Sequence, residues 1–111
     1  MLKTNAIKIS KNFYLSDFQC RCCQRVMLHP DLLEKMDRLS EEVKEKIQIT
    51  SGYRCEKHNK EVGGVPNSKH TKGLACDLTC KNLKETYESV KKLGFSFTKL
   101  DERKKYIHVE V

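Results

Sequence analysis

The chain is 111 residues long, 38% hydrophobic and 33% charged, and its 22 Lys and Arg against 15 Asp and Glu give a net charge of +7. That length accommodates one domain with a modest core and excludes a second domain or a coiled-coil arm. No apolar run approaches the roughly 20 residues of a transmembrane span, and the excess of Lys and Arg points to an anionic partner without naming it.

No repeat, low-complexity stretch or Pro/Gly-rich linker interrupts the sequence, so residues 1–111 read as a single domain. Met1 to Lys8 contain no apolar h-region, and the expectation is cytoplasmic synthesis without a secretory signal. Residues 1–28 read as an irregular section that anchors on the core through Phe13, Leu15 and Phe18. Its tip carries Cys20, Cys22 and Cys23. Pro30 suits the first position of a helix. Leu32, Leu33, Met36, Leu39 and Val43 continue that helix as an apolar stripe ending near Lys46. Ile47 and Ile49 alternate with polar neighbours in a short strand. Ser51-Gly52-Tyr53-Arg54 is then a turn into a short helix over 55–62, which Gly63-Gly64 stops.

From Leu74 the period becomes two. Leu74, Cys76, Leu78 and Cys80 fall on one face of a strand, and Ala75, Asp77 and Thr79 on the other. Leu83, Tyr87, Val90 and Leu93 make a further amphipathic helix with Gly94 as its C-terminal stop. Phe95 to Leu100 and Tyr106 to Val111 read as two strands joined by the charged turn 101–105. In the last strand Ile107, Val109 and Val111 share one face, and Tyr106, His108 and Glu110 the other. Two or three helices against a small, mostly antiparallel sheet make an α+β fold.

Chemistry concentrates on three residues. Asp77 is a carboxylate on the polar face of a strand, His70 precedes it across a loop containing Gly73, and His108 lies on the polar face of the last strand. Two imidazoles and one carboxylate suit a tetrahedral Zn²⁺ with an open fourth position, as in catalytic zinc sites. Taken singly, each His would equally suit an ordinary core or surface position.

The stretch Ser68-Lys69-His70-Thr71-Lys72-Gly73-Leu74-Ala75-Cys76-Asp77 fits Ser-x-His-x-x-Gly-x-Ala-x-Asp. This box resembles that of the zinc peptidases that cleave D-Ala-D-Ala and L-Ala-D-Glu bonds in peptidoglycan, a fold shared with Hedgehog signalling domains. Ile49-Thr50-Ser51-Gly52-Tyr53-Arg54-Cys55, His58-Asn59 and Val62-Gly63-Gly64 are similar to the small phage and bacterial branch of that family. Tyr106-Ile107-His108-Val109-Glu110-Val111 is similar to its closing strand. The resemblance runs from near Phe13 to the last residue, and the ten-residue box is its specific part.

The resemblance implies a Hedgehog/DD-peptidase-like fold with zinc on His70, Asp77 and His108. It implies that Arg54 stabilises the developing oxyanion and that Ser68 hydrogen-bonds the substrate. As ordinary residues, Arg54 would make a surface ion pair and Ser68 would cap a loop. Many relatives carry the general base three residues before the last His ligand, where this chain has Lys105. Glu102 matches the alternative spacing of Hedgehog-like domains and is the expected base, with Glu110 as its rival. Tyr106 stands where a second His is frequent and is expected to donate a proton or hydrogen bond.

The six cysteines divide. Cys76 and Cys80 share the apolar face and read as buried thiols. Cys55 and His58 have the spacing of a zinc ligand pair, and with Cys20 and Cys22 or Cys23 would complete a second, structural zinc site. An oxidisable pair, such as Cys20 or Cys22 with Cys55, and unrelated buried cysteines are the alternatives.

The implied function is a monomeric zinc peptidase hydrolysing peptidoglycan stem peptides, of D-Ala-D-Ala carboxypeptidase or L-Ala-D-Glu endopeptidase type. It would act on the cell wall, as during phage lysis, where the basic surface suits an anionic wall. Lys105 in the usual base position favours the alternative, a zinc-stabilised cell-wall or protein-binding domain with little or no turnover. Nucleic acid is not an expected partner, because the sequence has neither a basic helix face nor an aromatic stacking pattern.

Overall fold

Pro30, with φ fixed for a helix start, opens α1, which spans Pro30–Glu42 in a computed structural model describing residues 5–111. His29 caps it, its Nδ1 accepting from the Asp31 N–H at 3.1 Å. Leu32, Met36 and Leu39 are buried along the stripe, and Leu33 and Val43 pack half-buried beside them. The helix stops four residues short of Lys46. Val43 turns to extended backbone (φ −87°, ψ 141°), and the chain leaves the helical path so that Ile47 also reaches the core.

The remaining elements are β1 (Gln48–Ser51), α2 (Glu56–Glu61), β2 (Ala75–Thr79), α3 (Leu83–Lys91), β3 (Phe97–Asp101) and β4 (Tyr106–Glu110). The sheet order is β1-β2-β4-β3, with every neighbouring pair antiparallel. This is the α+β architecture expected from the sequence, with three helices. One face of the sheet, carrying Ile49, Cys76, Leu78, Ile107 and Val109, packs with Leu32, Met36, Leu39 and Val90 of α1 and α3 into a single core. The other face carries the polar residues of β2 and β4.

Alternation along β4 is as the pattern requires, with Ile107 and Val109 fully buried between half-buried Tyr106, His108 and Glu110. Along β2 it is hidden. Ala75 and Asp77 are buried as well as Cys76 and Leu78, because β2 is an interior strand whose second face is covered by the turn Lys69–Lys72. Cys80 departs from the expectation of a buried thiol. The strand ends at Thr79, so Cys80 lies half-buried and donates its S–H to Thr86 Oγ1 at 3.2 Å.

The N-terminal section is irregular apart from a 3-10 turn, Leu15–Phe18, and residues 1–4 of it lie outside the described residues. Phe13 and Phe18 are buried edge to face, with ring centroids 5.5 Å apart, whereas Leu15 is only half-buried. The Phe18 backbone lies directly on Gly52, where a Cβ would stand 2.6 Å from both Cα and O of Phe18. Tyr53 N–H donates to that same Phe18 carbonyl at 2.8 Å. Only glycine permits this approach, and it fastens the N-terminal section to the loop after β1. Among the described residues no helix is long and apolar enough to cross a membrane.

Candidate active site

His70 sits on the 3-10 turn Lys69–Lys72, which Ser68 caps by accepting the His70 N–H on its hydroxyl oxygen at 3.2 Å. Gly73 ends the turn in the left-handed region (φ +71°), against the Met27 carbonyl, which a Cβ would approach to 2.6 Å. The chain then enters β2 and places Asp77 beside His70. Antiparallel register sets Asp77 directly opposite His108 of β4. A bulge between Ile49 and Ser51 of β1 brings Ser51 opposite Asp77 on its other side.

The His70 ring is 2% exposed, and its Nδ1 lies 2.8 Å from the Gly52 carbonyl oxygen. A carbonyl only accepts, so Nδ1 carries a proton, and in the neutral ring Nε2 keeps its lone pair. That Nε2 is buried without a hydrogen-bond partner, 3.4 Å from Asp77 Oδ1. His108 Nδ1 lies 2.7 Å from the same oxygen, and His108 Nε2 lies 2.8 Å from Glu110 Oε2. The three candidate ligand atoms, one from each residue, are within 4.8 Å of one another.

These residues fit a metal ion. A nitrogen lone pair facing an ionised carboxylate repels it unless a cation lies between them, and an orphaned buried acceptor costs about 1–3 kcal/mol. Two imidazole nitrogens and one carboxylate oxygen are the donor set of catalytic zinc. With Nδ1 of His108 turned toward Asp77, its Nε2–H donates to Glu110, the arrangement by which a carboxylate fixes the tautomer of a metal-ligating His.

Burial pushes the Asp77 carboxyl up, but its hydrogen bond with His108 outweighs burial and holds it at about 2. Arg54 adds a contact from Nη2 to Asp77 Oδ2 at 3.4 Å. Its Nε donates to Ser51 Oγ at 3.1 Å and its Nη1 to Asn59 Oδ1 at 3.2 Å. These bonds leave two of the five guanidinium N–H groups. Burial also pushes the Tyr106 hydroxyl up, and the Asp77 and Asp101 charges add to it, so this phenol stays a donor.

Arg54, Ser68, Lys99, Tyr106 and Glu110 surround the triad in a cleft of about 540 Å³. Glu102 is not among them. The turn after β3 leans toward α3, where the Glu102 carboxylate, 60% exposed, pairs with Lys84 Nζ at 3.3 Å. The structure therefore brings together His70, Asp77, His108, Arg54, Ser68 and Tyr106 but leaves the expected base outside, with Glu110 in the cleft instead. Ser51, Gly52 and Asn59 also belong to the site, although sequence reasoning gave them no role there. Asn59 is buried, holds Arg54 and donates to the Val65 carbonyl at 2.9 Å. A Cβ at Gly64 would overlap its amide, so the His58-Asn59 and Gly63-Gly64 pairs were the only sequence signal for it.

The family model described as Peptidase M15 matches residues 11–110. The chain belongs to the Peptidase M15 family. M15 peptidases use zinc and include D-Ala-D-Ala carboxypeptidase-like enzymes, and the match spans every residue of the cleft. No curated protein matches the chain at a significant level.

Zinc binding at this candidate triad would be pH-dependent with a definite sign. Burial pushes the His108 imidazole down, but hydrogen bonds to Asp77 and Glu110 outweigh it and raise its pKa above the ordinary value. A metal at Nδ1 must displace that proton, whereas Asp77 is already ionised throughout this range. Affinity is therefore full above the raised His108 pKa and falls by up to about tenfold per pH unit below it. Competition with a chelator at a series of pH values rising from the ordinary His value of about 6.5 measures this slope; a flat profile would show that no His108 proton is displaced.

Proposed function

We propose that the protein is a zinc-dependent peptidase acting on peptidoglycan stem peptides, of D-Ala-D-Ala carboxypeptidase or L-Ala-D-Glu endopeptidase type. The observation that carries this reading is the buried, partnerless Nε2 of His70 facing Asp77 and His108 at the floor of a cleft, in a chain of the M15 family. Bound by His70, Asp77 and His108, zinc supplies Lewis acidity toward the scissile carbonyl and lowers the pKa of the attacking water toward about 7.

The chain's own groups do the rest. Among the described residues Glu110 is the one carboxylate lining the cleft besides Asp77, so it accepts the proton of the attacking water and returns it to the leaving amine. Tyr106 and the free N–H groups of Arg54 donate to the oxygen on which charge develops. Arg54 also holds Asp77 in place through Oδ2. Ser68 acts through its cap, which orients His70. Lys69 and Lys99 join Arg54 along the cleft and favour a substrate with free carboxylates, as stem peptides have. The setting would be the cell wall, including wall breakdown during phage lysis, with the protein working as a monomer and without nucleic acid.

Incubating zinc-replete protein with stem peptides ending in D-Ala-D-Ala, and with shorter ones retaining L-Ala-D-Glu, tests the reading. Release of D-Ala or cleavage after L-Ala supports it and names the bond. Tight binding of both peptides without turnover would instead favour a zinc-stabilised wall-binding domain, the reading that Lys105 suggested.

A further inference from the structure

Cys20, Cys22, Cys23 and Cys55 converge at the other end of the loop that holds Arg54, and their four sulfurs all lie within 4.8 Å of one another. Cys20 and Cys55 are buried, and Cys22 and Cys23 form the exposed outer edge. Cys22 Sγ stands 3.6 Å from Cys20 Sγ and 3.3 Å from Cys55 Sγ. A tetrahedral zinc with Zn–S of about 2.3 Å has S···S edges of about 3.8 Å, so little adjustment separates this cluster from a tetrathiolate. A disulfide, at about 2.05 Å, would use two of the four sulfurs and leave the others crowded against it.

The surroundings are built to hold sulfur as thiolate. Cys55 N–H points at Cys20 Sγ (3.4 Å), His58 N–H at Cys55 Sγ (3.4 Å), and Arg25 Nε–H at Cys23 Sγ (3.3 Å). Such donors are the outer bonds that orient and stabilise metal thiolates. Cys20 N–H and C=O pair with Arg25 O at 2.7 Å and Gln24 N at 3.0 Å, closing the tip into a tight knuckle. Gln24 takes a left-handed backbone (φ 63°) in that knuckle, a conformation that costs a non-glycine residue energy and persists where something over-determines it.

We propose that Cys20, Cys22, Cys23 and Cys55 bind a structural zinc ion that clamps the N-terminal section onto the loop Gly52–Cys55. His58 contributes only its backbone N–H, so both adjacent cysteines serve instead of the Cys-Cys-Cys-His set suggested by spacing. The clamp sits at the root of the active site. Gly52 supplies the carbonyl that fixes the His70 tautomer, Arg54 holds Asp77, and Cys55 follows directly in the chain. Binding four thiols releases their protons to solvent as the four Zn–S bonds form, with no change of oxidation state.

The proposal is independent of peptidase activity and is tested by metal counting under reducing conditions. The native protein should carry about two zinc ions per chain and a His70→Ala/His108→Ala variant about one. Cys20, Cys22, Cys23 and Cys55 should become open to alkylation only when a chelator is added. Co²⁺ added to metal-stripped native protein should give the strong visible absorption of tetrahedral thiolate coordination. That readout does not depend on any variant folding. One zinc in the native protein and none in the double variant would overturn the proposal. So would a native mass lower by two hydrogens, the mark of a Cys22–Cys55 disulfide, or iron in place of zinc.

Discussion

Replacing His70 with Ala is expected to abolish peptide hydrolysis and to remove one zinc per chain. The substitution takes away the lone pair that faces Asp77 and leaves only two ligands, of which His108 is already hydrogen-bonded to the Asp77 carboxylate. Two ligands do not make a catalytic zinc site. Without the metal, the reaction loses several kcal/mol of transition-state stabilisation, on the order of 10³-fold or more in rate. The fold suffers less. The Gly52 carbonyl loses its His70 partner, an unsatisfied buried acceptor worth about 1–3 kcal/mol, so thermal unfolding shifts down while circular dichroism keeps its native shape. Metal analysis alongside turnover decides the matter. Undiminished zinc with undiminished activity would mean that the metal sits elsewhere.

Which parts of this were legible in the sequence follows from the physics of each. The two-residue period of β4 fixes Ile107 and Val109 inward, so His108 and Glu110 share the opposite face whatever the rest of the chain does. The ten-residue box carries Gly73, the left-handed stop that swings His70 onto β2, so His70 and Asp77 were readable together from it. Pairing Asp77 with His108 was not readable, because register depends on strands far apart in sequence. Backbone partners were invisible for another reason. The Gly52 carbonyl sets the His70 tautomer, and a carbonyl belongs to every residue alike. Along β2 the polar face is buried, so exposure there does not follow the alternation that the sequence suggests.

The cysteines show the limit from the other side. A C-x-C-C run lacks the usual spacing of a metal ligand pair, and C-x-x-H at Cys55 and His58 drew attention to an imidazole that takes no part in the cluster. The left-handed turn at Gln24 folds the tip back so that both adjacent sulfurs reach Cys55. Nothing in local composition announces a Gln in that conformation, since it is a tertiary requirement imposed on an ordinary residue.

Glu110→Gln is expected to lower kcat by about 10²–10⁴-fold at saturating zinc, whereas Glu102→Gln should stay within a few-fold of the parent. The resemblance to Hedgehog-like domains favoured Glu102, six positions before His108, but a turn residue has no face fixed by strand period. The charged turn leans toward α3, where Lys84 takes up the carboxylate. Glu110, two residues after His108 on the same strand, is committed to the cleft by the period of β4 and sits 2.8 Å from His108 Nε2. Gln keeps an amide oxygen able to accept from that Nε2–H, so the His108 tautomer survives and zinc is retained, but an amide cannot take a proton from water. The two roles open to Glu110 therefore separate in one variant. A fall in kcat with near-native zinc affinity identifies a base. A loss of about 10–100-fold in zinc affinity with kcat intact at saturating metal identifies a positioning partner. A collapse of turnover in Glu102→Gln, with Glu110→Gln active, would return the base to the turn and require that turn to reach the cleft when substrate binds.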